Sequence, residues 1–361
     1  MTESAKRCDV AANSLTRKPS FGLLLVLLAV LSMSVYAVTL GAPLVWDDHE
    51  LVSQVNQSTH SWLSVWTRPF WSAGALSPAA YYRPLTLLSF RLDVSLYGDN
   101  PAGFHLTNIL LHTTNAVLLA SLARRCGAGV IAATVASFAF ALSPRLTESV
   151  AWVSGRTDLL ALFWVLCALL LWRVPRVGPV LGALACACGM LSKEVALAGA
   201  VALIVFELRS DAPRRLLAWR LSPLFAFGVI VLLVRGVELS NIPSPCDGLG
   251  FGARLITAFE ALGNYAFMLV DPWQPNLQIG WLGSPRYAFV ALGGLVLLTF
   301  GVAALKFWPK LNPAQAAFVA LGAAALALVL HLVPLPVGVV AADRFLYLPI
   351  AALALTVSTC F

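Results

Sequence analysis

Apolar residues run along this chain in long uninterrupted blocks, not at every third or fourth position as on a half-buried soluble helix. The first block spans 21–40. Others cover 104–123, 128–142, 158–172, 177–191, 195–208, 221–235, 252–270, 287–305, 314–333 and 345–360. Blocks of this size predict membrane-crossing helices, because ~20 helical residues match the hydrocarbon thickness. Backbone groups in hydrocarbon must bond to one another, and no alternating strand-length pattern argues for a barrel. The expected fold is all-α, a polytopic transmembrane helical bundle of about ten to eleven spans.

The block at 252–270 is the ambiguous one, because Arg254, Glu260 and Asn264 interrupt it. Read as re-entrant or surface-lying, it leaves ten crossings, keeps Lys306 and Lys310 in the cytoplasm and puts Arg344 on the outer face. The other cations agree. With a cytoplasmic N-terminus, Lys6, Arg7, Arg17 and Lys18 share a side with Arg124, Arg125, Arg173, Arg176, Arg209, Arg214, Arg215 and Arg220. The first block is also longer than the ~7–15 apolar residues of a cleaved signal, so it is read as a retained span.

Composition narrows the reading further. The chain has 361 residues, 59% of them hydrophobic, with a mean hydropathy of +0.83. The net charge of +7 is explained by orientation in the membrane, so no nucleic-acid partner is expected. The seven cysteines show neither a disulfide framework nor a metal spacing. With no internal repeat and no polar stretch long enough for a second soluble unit, 1–361 reads as one transmembrane domain, with a cytoplasmic tail at 1–20 and a first extracytoplasmic loop at 41–103. Trp46, Trp62, Trp66, Trp71, Tyr81, Tyr82 and Tyr97, broken by Pro43, Pro69, Pro78 and Pro84, predict short interfacial helices in that loop. Asn56-Gln57-Ser58 is an N-glycosylation pattern of low specificity.

Only 11% of residues are charged, and on the inferred outer face they gather in groups. These are Trp46-Asp47-Asp48-His49-Glu50; Tyr81-Tyr82-Arg83-Pro84-Leu85 with Arg91 and Asp93; His105, Asn108, His112 and Asn115 on one helix face; Ser143 through Asp158; Ser192-Lys193-Glu194; and Arg344. Each has a local explanation. His105, Asn108, His112 and Asn115 suit hydrogen bonds between helices. Arg156 with Asp158, Lys193 with Glu194, and Asp343 with Arg344 suit neighbour pairs. Adjacent Asp47, Asp48 and His49 give no dependable metal geometry, and no metal or cofactor is expected. Their convergence on one face favours a site, since ionisable groups in a membrane are costly. Acids beside fixed cations, open toward lipid, suit a substrate with a phosphate head and a hydrocarbon tail.

In order along the chain, Val45-Trp46-Asp47-Asp48, Tyr81-Tyr82-Arg83-Pro84-Leu85, Phe104-His105-Leu106-Thr107-Asn108, Leu111-His112, Thr147 through Leu160, Ser192-Lys193-Glu194 and Arg344-Phe345-Leu346-Tyr347-Leu348-Pro349 are similar to the motifs of a known family. The chain resembles the multi-spanning GT-C glycosyltransferases, and within them the TMTC-type protein O-mannosyltransferases and their bacterial relatives. Two departures stand out: Ser143 occupies a position where the family usually has His before Pro144, and tetratricopeptide repeats do not follow. The chain ends in or just after an apolar run, which points to a longer natural protein.

The resemblance implies inverting transfer of a mannose-like hexose from a polyprenyl- or dolichyl-phosphate donor to an acceptor hydroxyl on a protein or glycan. The reaction would take place at the outer or luminal face of a bacterial inner membrane or the endoplasmic reticulum. Asp47 or Asp48 would be the base. Arg83, Arg156, Lys193 and Arg344 are the expected phosphate cations, and His105, Glu148, Asp158 and Glu194 the orienting groups. A lipid-linked sugar flippase would use the same cations without a base, and an inactive scaffold would need neither.

Overall fold

The computed structural model describes residues 20–56, 62–67, 70, 81–211, 213–239, 249–277, 279–280, 284–332 and 339–361. The basic N-terminal residues, Gln57 and Ser58 of the glycosylation pattern, and Arg68, Pro69, Trp71 and Pro78 lie outside the described residues. Helix α1 (Phe21–Tyr36) runs into a 3₁₀ turn at Ala37–Gly41. In the first loop, α2 (Asp48–Asn56), a 3₁₀ turn at Trp62–Trp66 and α3 (Pro84–Tyr97) follow. Then come α4 (Pro101–Arg125), α5 (Val130–Ala141), α6 (Thr147–Ala151), α7 (Arg156–Leu171), α8 (Gly178–Met190), α9 (Leu197–Arg209) and α10 (Arg214–Leu239). The chain closes with α11 (Phe251–Val270), α12 (Tyr287–Phe307), α13 (Pro313–Ala327) and α14 (Tyr347–Ser358). Among the described residues no strand forms, and a single antiparallel bridge joins Ile279 to Ala341.

Among the described residues, five helices are long and apolar enough to cross a membrane by themselves: Phe21–Gly41, Pro101–Arg125, Val153–Leu171, Arg214–Arg235 and Tyr287–Lys310. Val130–Ala141 with Pro144–Ala151, bent by 51°, makes a sixth if the pair is one span. The apolar blocks in the sequence outnumber these because α5, α8, α9, α13 and α14 are helices of only 12 to 15 residues. Residues 144–146, 153–155, 194–196 and 343–346 are spent in 3₁₀ turns, which shortens the helices beside them. Phe251–Val270 is not among the long apolar helices, and its buried positions Ala258, Ala261, Tyr265 and Met268 recur at helical spacing on one face.

Helix α4 is the hub. Asn100 caps it by accepting from the Ala102 N–H at 3.1 Å, with Pro101 in the first turn, where a missing N–H costs nothing. Its buried face carries polar residues that tie the bundle together. His112 Nε2 donates to the Ala141 carbonyl at 3.0 Å, which leaves Nδ1 to accept from the Tyr347 hydroxyl at 2.8 Å. Asn115 Nδ2 donates to the Leu159 carbonyl at 2.9 Å. These are the interhelical bonds that the spacing on α4 predicts, linking α4 to α5, α7 and α14.

At one end of the bundle the arginines bond mainly to helix-end carbonyls. Arg209 donates to Leu311 O at 2.6 Å, and Arg173 to Arg125 O at 3.1 Å. In α11 and α12 the main chains touch, and a Cβ built on Gly263 would meet Phe289 O at 2.0 Å, with the reciprocal clash from Gly293 onto Phe259 O. Gly263→Val should therefore force these helices apart and destabilise the protein by about 1–3 kcal/mol. Gly228→Ala on α10, where nothing lies within 4 Å, should not lower stability. Melting of the two variants in detergent checks both outcomes.

Candidate active site

The site is built where α5 breaks. Ser143-Pro144 ends the helix, and α6 and the 3₁₀ turn Val153–Gly155 carry the chain across to α7. Gly155 is required there, because a Cβ would lie 2.5 Å from Ser149 O. The carbonyls freed by the break are collected by one side chain: Asn108 Nδ2 donates to Val150 O at 3.2 Å, Trp152 O at 3.1 Å and Val153 O at 3.3 Å. Asn108 Oδ1 accepts from Arg156 Nε at 2.8 Å.

Arg156 is fully buried, donates through Nη2 to Phe104 O at 2.9 Å, and pairs with Asp93 at 2.5 Å. Its guanidinium lies 4.2 Å from the Phe90 ring centroid. It braces α3 against α4 and α7, and it is more deeply buried than Arg83, Lys193 and Arg344. His105 is buried on α4, within electrostatic reach of Asp48 and Arg156.

In front of this brace stand the two acids of the first loop. Trp46 holds a left-handed backbone at φ 51°, rare for a bulky residue and worth roughly 1–3 kcal/mol of strain, in the turn that starts α2. The turn is closed by Asp48 N–H donating to Val45 O at 3.0 Å, and Leu51 N–H donates to Asp47 O at 3.0 Å to begin the helix. Asp48 is fully buried, accepting on Oδ1 from the Ser154 hydroxyl at 2.6 Å and the Ser154 N–H at 2.8 Å, and on Oδ2 from Val45 N–H at 3.2 Å. Asp47 is half-buried and accepts from Trp152 Nε1 at 3.2 Å. Burial, with the Asp48 charge beside it, pushes the Asp47 carboxyl up to about 6. The two acids therefore differ in kind: Asp48 is saturated by donors, and Asp47 is accessible with a raised proton affinity.

Trp152 also meets a cation. Arg344 lies 5.5 Å from the Trp152 ring centroid. It donates to Glu148 from its backbone N–H at 2.7 Å and from Nη1 at 2.5 Å. Lys193 Nζ donates to both oxygens of Asp158 at 2.6 Å and lies 5.7 Å from the Phe345 ring centroid. Burial pulls the Lys193 ammonium down, and Asp158 counters it. Arg83 stacks 4.2 Å from the Tyr81 ring centroid and donates to Glu194 Oε2 at 2.9 Å, while Arg235 from α10 donates to Glu194 Oε1. Burial raises the Glu194 carboxyl, but Arg83 and Arg235 outweigh it and hold the group down to about 2. Lys193 feels the charges of both Arg83 and Arg344, and Asp47 feels that of Arg344, so the groups act as one constellation.

None of the neighbour pairs expected from the sequence forms. Arg156 pairs with Asp93 and Asp158 with Lys193; Glu194 takes Arg83 and Arg235; Asp343 pairs with Arg145 at 2.7 Å, freeing Arg344 for Glu148. Residues one or two apart on a helical turn point in divergent directions, so neighbouring charges reach across to other elements. Arg344 thus joins Glu148 and comes within electrostatic reach of Asp47. Arg235 went unrecognised because a cation at the end of an apolar block looks like an ordinary boundary charge. Trp152 and Ser154 carried no chemical signal of their own.

Curated proteins are similar to long stretches of this chain. Tmtc2 of Drosophila melanogaster is 35% identical over 309 residues, 80% of this chain and 32% of that protein. The chain belongs to the TMTC-like family. F38B6.6 of Caenorhabditis elegans is 26% identical over 93% of the chain and 51% of its own length, and human TMTC4 is 40% identical over 119 residues, 28% of the chain and 16% of its own length. All three are named protein O-mannosyl-transferases. The chain thus spans between a third and a half of the first two of these TMTC relatives. No family profile and no solved structure matches it.

Proposed function

We propose that the chain is the membrane part of an inverting GT-C glycosyltransferase, moving a mannose-like hexose from a polyprenyl- or dolichyl-phosphate donor to a protein hydroxyl. The names of the relatives support the reaction class. The observation that carries the mechanism is the placement of Asp47 and Arg344 about the Trp152 ring. An in-line displacement sets base, acceptor oxygen, anomeric carbon, leaving oxygen and cation in a row of roughly 10 Å, made of two hydrogen bonds and two partial C–O bonds. The Trp152 indole touches both the proposed base and the guanidinium.

Asp47 accepts the proton of the acceptor hydroxyl, whose oxygen forms the new bond to the anomeric carbon. The bond from that carbon to the phosphate oxygen breaks, and the lipid phosphate leaves with the electron pair toward Arg344, Lys193 and Arg83. Asp48 fixes the turn that presents Asp47. Glu148, Asp158 and Glu194 hold the cations in place, and His105 and Arg156 support the site from behind.

The bundle on this reading has ten crossings: α1, α4, α5, α7, α8, α9, α10, α12, α13 and α14, with α11 lying against α12 and the N-terminus in the cytoplasm. The contacts of Arg145 with Met268 O and Asp343, and of Arg344 with Glu148, support it by gathering 145, 268 and 343 at one end. The first-loop helices α2 and α3 roof the site at the membrane interface.

The test is transfer by the purified chain in liposomes from a polyprenyl-phosphate mannose to a hydroxyl peptide, with the product anomer determined. Inversion supports the reading. Lipid binding without transfer favours a transporter, and retention of configuration overturns the in-line displacement. Asp47 must be ionised to act as base, so the rate should fall about tenfold per unit as pH drops below about 6 and level off above it, which a pH profile of kcat/KM checks.

A further inference from the structure

Trp46 has a role that the transfer chemistry leaves unfilled. Its ring is 54% exposed, directly before the half-buried base, in a backbone conformation that bulky residues rarely adopt. The ring is fixed and not free to wander, because it meets Trp152 edge-on at 5.6 Å with an interplanar angle of 73°. Val45 beside it is 39% exposed, so the turn offers a small apolar lip next to a carboxylate. Along the chain of contacts the order is Trp46, Trp152, Arg344, with Asp47 bonded to the Trp152 edge. Trp46 directly precedes Asp47, which meets the acceptor hydroxyl on the proposed mechanism, so Trp46 stands beside the acceptor.

We propose that Trp46 is a binding residue for the acceptor polypeptide, an aromatic platform on which an apolar or prolyl residue next to the accepting Ser or Thr packs in extended conformation. Rings of this kind give large, rigid contact area at low entropy cost and serve as interface anchors. The inference rests on the reading of the chain as a transferase. It adds that acceptor choice is made partly in the same turn that presents the base. It also predicts a preference: a hydroxyl flanked by Pro or Val should be a better acceptor than one flanked by Asp or Lys.

The experiment separates donor from acceptor steps in the full chain. Transfer of mannose from polyprenyl-phosphate mannose to synthetic Thr peptides is measured alongside hydrolysis of the same donor by water. Trp46→Ala and Trp46→Gly should each raise the peptide KM about tenfold or more, with donor KM and donor hydrolysis unchanged, and Trp46→Tyr should stay within about threefold of the wild type. The Gly variant keeps the test clear of folding, since glycine adopts the left-handed backbone freely. An unchanged peptide KM overturns the inference, as does a loss shared equally by donor hydrolysis. Absence of both transfer and hydrolysis in the wild type would instead fall on the proposed function.

Discussion

Asp47→Asn is expected to lower transfer by about 10²–10⁴-fold while leaving the protein folded and able to bind lipid phosphate. Asparagine keeps the shape of the side chain and its carbonyl can still accept from Trp152 Nε1. What is lost is the capacity to take up a proton. Neutralising Asp47 also relieves its repulsion with buried Asp48, so melting temperature should hold or rise slightly. Asp48→Asn should behave differently. An amide cannot receive both Ser154 donors and the Val45 N–H as a carboxylate does, and the loss should show in stability together with activity. Equal transfer by Asp47→Asn and wild type would remove the base from the mechanism and leave a transporter or scaffold.

Arg156→Ala is expected to destabilise the fold by about 3–5 kcal/mol, because it strands the Asp93 carboxylate in a site where that residue is buried. The informative variant is the pair Arg156→Met with Asp93→Leu. Replacing both partners by apolar groups removes the stranded charge, and stability should return to within about 1–2 kcal/mol of wild type. If Arg156 acts only as a brace, the double variant should also transfer sugar at a rate close to normal. A phosphate-binding Arg156 would instead leave the pair folded and inactive. Thermal melting and donor KM, measured on the same detergent preparation, read the two outcomes.

Much of this arrangement was legible from the chain alone, and the limits have physical causes. Apolar blocks mark the helices, but they overstate how many are long enough to cross, since the turns at Pro144, Glu194 and Asp343 take up residues that would otherwise extend the helices. The acids of the first loop stand out because charge is scarce. Their division of labour does not, for it depends on Ser154 reaching Asp48 and Trp152 reaching Asp47 from more than 100 residues away. Pairing was the least legible feature. Sequence adjacency suggested Arg344 with Asp343, whereas successive side chains on a 3₁₀ turn diverge and find Glu148 and Arg145 respectively.

The four cations Arg83, Arg235, Lys193 and Arg344 stand with five carboxylates, Glu194, Asp158, Glu148, Asp47 and Asp48, so the constellation carries one net negative charge. On the proposed reaction a phosphodiester donor enters with one negative charge and its phosphate departs with two, while Asp47 goes from anion to neutral acid. The net charge at this end of the bundle is then the same before and after the chemical step. Catalysis amounts to passing one unit of negative charge from Asp47 to the departing phosphate, and the fixed cations need only be nearer its destination than its origin. A site whose charge is unchanged by the step does not have to draw counter-ions or water through the membrane surface at each turnover.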